Sequence, residues 1–126
     1  AEWTVWPAFP QPVAYHGMSL LDDGRLCVVG GHGNERLFSG VCCYDPREGI
    51  WCAAASLHAP RWSHAQVTHS GGSGTYVAAI GGYGAYGSRY RLRYLDSVEV
   101  IDMRTGGVCA EGKLSVPRAR LAAVVL

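Results

Sequence analysis

The feature that most constrains this chain of 126 residues is an internal repeat. Three residues of one unit, Trp51, Pro60 and His64, reappear with identical spacing 48 positions earlier. The earlier set consists of Trp3, Pro12 and His16. Self-similarity at a fixed period indicates a repeat architecture, in which each unit packs on its neighbours. The chain is therefore expected to consist of repeated units rather than one ordinary domain.

Paired glycines mark the same repeat at a second place. Gly30-Gly31 returns as Gly81-Gly82, 51 positions later, and Pro60-Arg61 returns as Pro117-Arg118, 57 positions later. The displacements differ because the second unit carries extra residues in two of its loops. A period of about 50 residues with four short strands per unit is typical of a β-propeller blade.

Strands are predicted where short apolar or alternating stretches end at glycine, proline or a polar turn. In the first unit they cover residues 15–20, 25–29, 40–44 and 50–53. In the second unit they cover residues 63–69, 76–80, 98–102 and 108–111. No window of ten or more residues shows helical spacing free of such breakers, so no helix is expected.

The order of these markers resembles the kelch repeat. A strand ends in a double glycine, Tyr44 precedes Trp51 by seven positions, and Pro60-Arg61 leads to His64. The resemblance covers essentially the whole chain and implies an all-β fold of kelch-type propeller blades, each a four-stranded antiparallel sheet, in an incomplete propeller. The pattern departs at three positions, which are Val13 in the arginine place, Ile101 in the tyrosine place and Val108 in the tryptophan place.

The repeat divides the chain into four parts. Residues 1–12 are expected to end a preceding blade, 13–60 and 61–117 to form one kelch repeat each, and 118–126 to begin a following blade. The second repeat carries a long loop at 83–95. Because the chain starts without Met and shows no signal peptide, it is expected to begin inside a longer protein whose remaining blades are its packing partners.

One set of residues is expected to serve the architecture rather than a ligand. Consecutive glycines permit positive φ and close backbone approach, and one tryptophan per unit can wedge between adjacent sheets. Trp51 and Trp3 are predicted as such wedges, and His64 is expected to bond a backbone group beside a double glycine. The structural set is Gly30, Gly31, Tyr44, Trp51, Gly81, Gly82, Trp3, Pro60, Arg61 and His64.

Composition excludes several classes of protein. A formal net charge of +1 lacks the broad basic field of most nucleic-acid and membrane-surface proteins. No apolar run approaches the roughly 18 residues that span a bilayer. The five cysteines form no CxxC pair and no regular framework, which favours buried, inert, reduced thiols and an intracellular location, cytoplasmic or nuclear.

No catalytic constellation, cofactor motif or metal site is predicted in this segment. His64 and His69 are five positions apart, so an extended strand sends them to opposite faces, and His16 and His64 are equivalent repeat positions. The glycine-rich stretch after Gly81 lacks the residues of a phosphate or dinucleotide loop. The chain is therefore expected not to be an enzyme.

A tyrosine and arginine stretch at 83–94 is the predicted binding surface. If its second half is extended, its three arginines share one face and its later tyrosines share the other. Tyrosine and arginine are enriched at binding hot spots. The predicted contacts are Tyr83, Tyr86, Arg89, Tyr90, Arg91, Arg93 and Tyr94, together with Arg36 and Phe38 of the corresponding first-unit loop. The alternative is a prolonged hairpin whose arginines are merely solvated.

The expected function is a protein-interaction scaffold that binds an acidic or phosphorylated protein segment through its inter-strand loops. The kelch resemblance implies such a rim, and also implies substrate recognition in a cullin-based ubiquitin ligase. Two alternatives stay open. One is a propeller enzyme, galactose oxidase-like or sialic acid-processing, with its catalytic residues outside this segment. The other is a structural subunit of a large assembly or a cytoskeletal binder.

Overall fold

A computed structural model describes residues 2–85 and 91–126. Within those residues the chain is all-β, and it contains no helix of the length and apolarity needed to cross a membrane. The strands are β1 (Gly17–Leu20), β2 (Leu26–Val29), β3 (His32–Gly33), β4 (Arg36–Leu37), β5 (Gly40–Asp45), β6 (Ile50–Ser56), β7 (Arg61–Trp62), β8 (Ala65–Gly71), β9 (Gly74–Ile80), β10 (Tyr83–Ala85), β11 (Leu92–Tyr94), β12 (Ser97–Asp102) and β13 (Gly107–Lys113).

Two four-stranded antiparallel sheets form the body of the molecule. The first blade has the order β1-β2-β5-β6, and the second has the order β8-β9-β12-β13. The two sheets share one topology, and each predicted strand lies in its place with ends that differ by a few residues. The predicted fold class, four-stranded blades of an incomplete propeller, is confirmed.

Shorter strands join the blades at one end, which we call the rim. In the first unit β3 and β4 form a small hairpin, and in the second unit β10 pairs with both β7 and β11. These strands have two or three residues each. β3, β4, β10 and β11 lie between the second and third long strands of their units, whereas β7 precedes β8. The loop predicted at 83–95 therefore contributes a sheet to the rim.

The core lies between the two blades. Buried side chains from the first blade pack against others from the second, and full burial of an aliphatic side chain contributes roughly 1.5 to 3 kcal/mol. The cluster consists of Leu21, Cys27, Val29, Val41, Cys43, Leu57, Val77, Ala79 and Ile101. Because this cluster holds the blades together, it fixes the relative position of the two rim segments.

Each double glycine meets the backbone of the next repeat. The amide of Gly31 donates to the Arg61 carbonyl at 2.8 Å, and the amide of Gly82 donates to the Arg118 carbonyl at 2.8 Å. Gly31 and Gly82 have φ of 106° and 102°, and a Cβ on Gly82 would lie 2.8 Å from the Trp62 carbonyl oxygen. The pair thus provides both a left-handed backbone and the close contact between blades.

Trp3, predicted as an inter-blade wedge, does not lie between the two described blades. Trp3 is fully exposed, because the irregular segment that carries it has no sheet on its other side among the described residues. Trp51 is half-buried, and its Nε1 donates to the Pro7 carbonyl at 3.0 Å. Its ring packs on Tyr44 and Phe9, so it fastens the N-terminal segment to the first blade.

Candidate rim interface

A row of aromatic rings crosses the rim from one blade to the other. Neighbouring rings in the row have centroids 5.2 to 5.5 Å apart, which is a normal packing distance for aromatic pairs. The row consists of Tyr15, His32, Trp62, Tyr83 and Tyr94. Of these, sequence analysis predicted Tyr83 and Tyr94 as contacts and missed the other three.

Trp62 occupies the middle of the row. It pairs with Tyr83 in the β7 and β10 register, and its ring contacts those of Tyr15, His32 and Tyr83. The next residue, Ser63, has φ of 53°, so the backbone turns sharply just after the ring. A sequence signal for this meeting point exists, since His32 and Tyr83 occupy the same place in two GGxG stretches that begin at Gly30 and Gly81.

Two clefts open on either side of the Trp62 ring. The larger, of about 540 Å³, is lined by His32, Glu35, Arg36, Leu37, Phe38, Trp62 and Leu92. The smaller, of about 370 Å³, is lined by Trp62, Ser63, Tyr83, Tyr94, Ala119 and Arg120. Trp62 is common to both clefts, so this one side chain contributes to the walls of two adjacent concave sites.

The arginines of the rim do not share one surface. Arg36 lines the larger cleft and Arg120 the smaller, and both are exposed. Arg93 instead borders a separate small cavity with Asp96 and Lys113. The rim arginines 36, 91, 93 and 120 form no ion pair with any described residue. Their charges are therefore available to an external anionic group.

The remaining predicted contacts divide into two groups. Phe38 is half-buried in the wall of the larger cleft, and Arg91 is exposed just before β11. Tyr86, Arg89 and Tyr90 lie outside the described residues. Of the two clefts at the rim, the larger has walls from both repeats, and the smaller is lined by the second repeat and the segment that follows it.

Comparison with known proteins agrees with the repeat pattern. Residues 19–58, which run from the second half of β1 to just beyond β6, match the family model described as Kelch motif. This part of the chain therefore carries a kelch motif. The chain is also 31% identical over 67 residues to human Kelch-like protein 33, an alignment that covers 46% of this chain and 13% of that relative. The chain therefore spans only a small part of the relative's length.

The second repeat contains a buried ion pair. Arg61 is fully buried, and its guanidinium donates to the Gly81 carbonyl at 3.0 Å, the Ser97 carbonyl at 2.9 Å and the Glu99 carboxylate at 2.5 Å. Glu99 also accepts hydrogen bonds from the amides of His58 and Ala59. The pair ties β7, and with it Trp62, to the body of the second blade.

The first repeat lacks both partners of this pair. Val13 stands in the place of Arg61 by the repeat spacing. Cys42 stands in the place of Glu99. Each directly follows a valine, Val41 or Val98, and these valines pair with the residues just before the two double glycines. The two differences between the repeats therefore belong together, since neither a buried arginine nor a buried glutamate is stable without the other.

His64 does not bond a backbone group as expected. Its ring is buried against the Gln66 side chain and close to Gly17, and neither ring nitrogen has a backbone partner among the described residues. Burial, assisted by the positive charge of Arg61, lowers the pKa of His64 to about 4. The imidazole is therefore neutral at physiological pH and acts as a packing element between the blades.

Sequence analysis missed a cluster of possible metal ligands. The side chains of His58, Glu99 and Glu111 bring ligand atoms within 4.8 Å of one another, and His58 Nδ1 lies 2.6 Å from a Glu111 oxygen. The Glu99 carboxylate is already occupied by Arg61 and two backbone amides. We interpret the cluster as a structural contact between the inter-blade segment and the second blade.

Proposed function

We propose that this segment binds a protein partner through the rim interface, with Trp62 as the central anchor. The observation that carries the proposal is that Trp62 lines two clefts, the larger of which has walls from both repeats. Tryptophan, tyrosine and arginine dominate binding hot spots because they combine large contact area with directional polar groups. His32, Trp62 and Tyr83 in this row are already half-buried, so they lose little side-chain entropy when a partner covers them.

The partner is proposed to be an acidic or phosphorylated protein segment. Arg36 and Arg120 lie at the two clefts without an ion partner among the described residues, and Glu35 is the acidic residue that lines the larger one. A guanidinium binds a carboxylate or a phosphate through paired hydrogen bonds. A partner segment with an anionic group on each side of an apolar residue that packs on Trp62 would match this arrangement.

The test is quantitative capture of partners by the full-length protein. Trp62→Ala and the double variant Arg36→Glu, Arg120→Glu are compared with the wild-type chain, with proteins identified by mass spectrometry. The matched control is Arg104→Glu, because Arg104 is an exposed arginine in the turn between β12 and β13, at the end of the blade opposite the rim. Partners lost by the rim variants and kept by the control support the proposal, and an unchanged partner set contradicts it.

A finer role follows from the kelch resemblance. We propose that the full-length protein is intracellular and presents its rim partner to a cullin-based ubiquitin ligase, with the adaptor function outside this segment. The support is the match to kelch repeats and to a Kelch-like relative. Co-purification of a cullin with the tagged full-length protein is expected, and it should persist in Trp62→Ala because the rim is not the proposed adaptor surface.

A further inference from the structure

Two cysteines of the first blade lie directly opposite each other on neighbouring strands. Cys27 of β2 pairs with Cys43 of β5. The Gly30 amide donates to the Gly40 carbonyl, which makes Gly30 and Gly40 a hydrogen-bonded pair of this ladder. Along an antiparallel ladder, hydrogen-bonded pairs alternate with pairs that are not hydrogen-bonded. Cys27 and Cys43 lie three pairs away from Gly30 and Gly40, so they form a pair without mutual backbone hydrogen bonds.

This kind of pair has the geometry that a disulfide requires. Opposite residues at such sites have Cα atoms about 4.5 Å apart, against about 5.5 Å at hydrogen-bonded sites. Disulfides span Cα separations of roughly 4.4 to 6.8 Å, with Cβ atoms close together. Both side chains point to the same face of the sheet, toward the core between the blades. A bond between the two sulfurs therefore needs no change of strand register.

The two thiols already interact. A hydrogen bond from the Cys27 thiol lowers the pKa of Cys43 against the opposing effect of burial, and the positive charge of Arg25 acts in the same direction. The same hydrogen bond, together with burial, raises the pKa of Cys27. Cys43 therefore differs from the other buried thiols in having a donor beside its thiolate form.

We propose that Cys27 and Cys43 form an oxidisable pair that hydrogen peroxide converts into a disulfide between β2 and β5. The Cys43 thiolate attacks one peroxide oxygen, the O–O bond breaks, and the released hydroxide takes up a proton to become water. The Cys27 sulfur then attacks the sulfenic sulfur of Cys43, the S–O bond breaks, and a second water leaves with the Cys27 proton. Two thiols lose two electrons in total, and peroxide accepts them.

Other cysteines are poorly placed to compete for Cys43. Cys52 also lies opposite Cys43, but in the β5 and β6 ladder. In a central strand, the backbone groups of successive residues form hydrogen bonds to one neighbouring strand and then to the other. The backbone of Cys43 therefore bonds to β6, so Cys43 and Cys52 form a hydrogen-bonded pair, whose Cα atoms are farther apart. Cys42 projects to the opposite face from Cys43 because it is the next residue along the strand.

The disulfide would act on the rim as well as on the blade. The chain between Cys27 and Cys43 contains the β3 and β4 hairpin, which supplies His32, Arg36 and Phe38 to the larger cleft. Closing that loop at its base restricts the unfolded chain and fixes the two strands from which the hairpin projects. Oxidation is therefore expected to raise the thermal midpoint of the first blade while the rim arrangement persists.

The test uses the full-length protein treated with hydrogen peroxide under native conditions, then denatured and alkylated. Trypsin is expected to yield peptides 26–36 and 37–47 joined by a disulfide, with a mass about 2 Da below the sum of the two reduced peptides. The link should persist in Cys42→Ser and in Cys52→Ser, and it should be absent from Cys27→Val, which keeps an apolar side chain in the core.

Two results would overturn the proposal. One is recovery of Cys27 and Cys43 as alkylated, reduced residues after peroxide has oxidised the exposed Cys52 and Cys109. The other is a link that disappears in Cys42→Ser, which would assign the bond to Cys42. Circular dichroism of each variant before treatment verifies that the β-sheet is intact, and Cys27→Ala replaces Cys27→Val if the latter fails to fold.

Discussion

Arg61 shows how one buried charge can organise a blade. Its side chain and that of Glu99 are 0% and 2% exposed, and together they form hydrogen bonds with three carbonyl groups and two backbone amides. Removal of one partner of a buried pair leaves an uncompensated charge, which typically costs about 3 to 5 kcal/mol. The first repeat avoids that cost with an apolar residue and a thiol at the two positions.

Substitution of Arg61 alone is predicted to be more damaging than substitution of both partners. Arg61→Val should lower the unfolding free energy by about 3 to 5 kcal/mol because Glu99 remains buried and unpaired. Arg61→Val combined with Glu99→Cys copies the first repeat and should recover part of that loss. Urea unfolding of the two variants measures the difference, and a double variant less stable than the single one would contradict this account.

His64 predicts a pH dependence of stability. In the folded chain His64 has a pKa of about 4, which is below its pKa in the unfolded chain. At pH values between these two pKa values, the unfolded chain therefore binds more protons than the folded chain. The unfolding free energy should therefore fall as the pH drops from about 6.5 toward 4, by up to roughly 3 kcal/mol from this group. Below pH 4 its contribution stops changing.

The matched variant for this prediction is His64→Gln, which keeps a polar side chain without a titrating ring. Thermal or urea unfolding between pH 7 and pH 4 should show a shallower decline in the variant than in the wild-type chain. Equal slopes in the two chains would show that the wild-type imidazole is not held neutral by burial.

At the scale of elements, the double glycines define where one blade meets the next. Gly82→Ala places a Cβ 2.8 Å from the Trp62 carbonyl oxygen and 2.9 Å from the His64 Cβ, at a φ of 102° that an alanine rarely adopts. The free energy of unfolding is expected to fall by about 2 kcal/mol or more, from backbone strain and from displacement of the contacting atoms together. Gly72→Ala is the control, since nothing lies within 4 Å of its added Cβ. Thermal unfolding of both variants tests the prediction, and equal midpoints would refute it.

The long strands and part of the rim, including Tyr83 and Tyr94, could be predicted from the sequence, but the pairing of the rim strands could not. Residues such as Val28 and Val98 lie in runs with clear alternation or continuous apolar character, bounded by glycines. The rim strands have two or three residues, too few for any periodicity, and their pairing depends on where the blades place them. Tyr15, His32 and Trp62 come from separate loops, so their ring contacts arise only once the blades are packed.

Trp3 illustrates a second limit of sequence reasoning. Its repeat position matches that of Trp51, yet Trp51 has Tyr44 and Phe9 to pack on whereas Trp3 is exposed. Equivalent positions acquire equivalent environments only where each has a neighbouring layer. The spacing therefore identified the repeat correctly but not the burial of each member.

For the whole molecule, the outer face of the first blade remains apolar. A cleft on that face is lined mainly by apolar residues, among them Trp6, Phe9, Met18, Val28 and Trp51. Blades of a propeller bury both faces against neighbours, so this face is suited to a further blade of the same protein. That assignment remains a proposal, as does the division of the chain into parts at residues 1–12 and 118–126.

The central claim is that a protein partner covers the rim. Hydrogen exchange measured on the full-length protein, free and with a captured partner, tests it most directly. We predict slower exchange on binding at residues 32–38, 61–63 and 91–94, and unchanged exchange in the turns at 46–49 and 103–106, at the opposite end of the blades. Protection confined to those turns, with no change at the rim, would contradict the account.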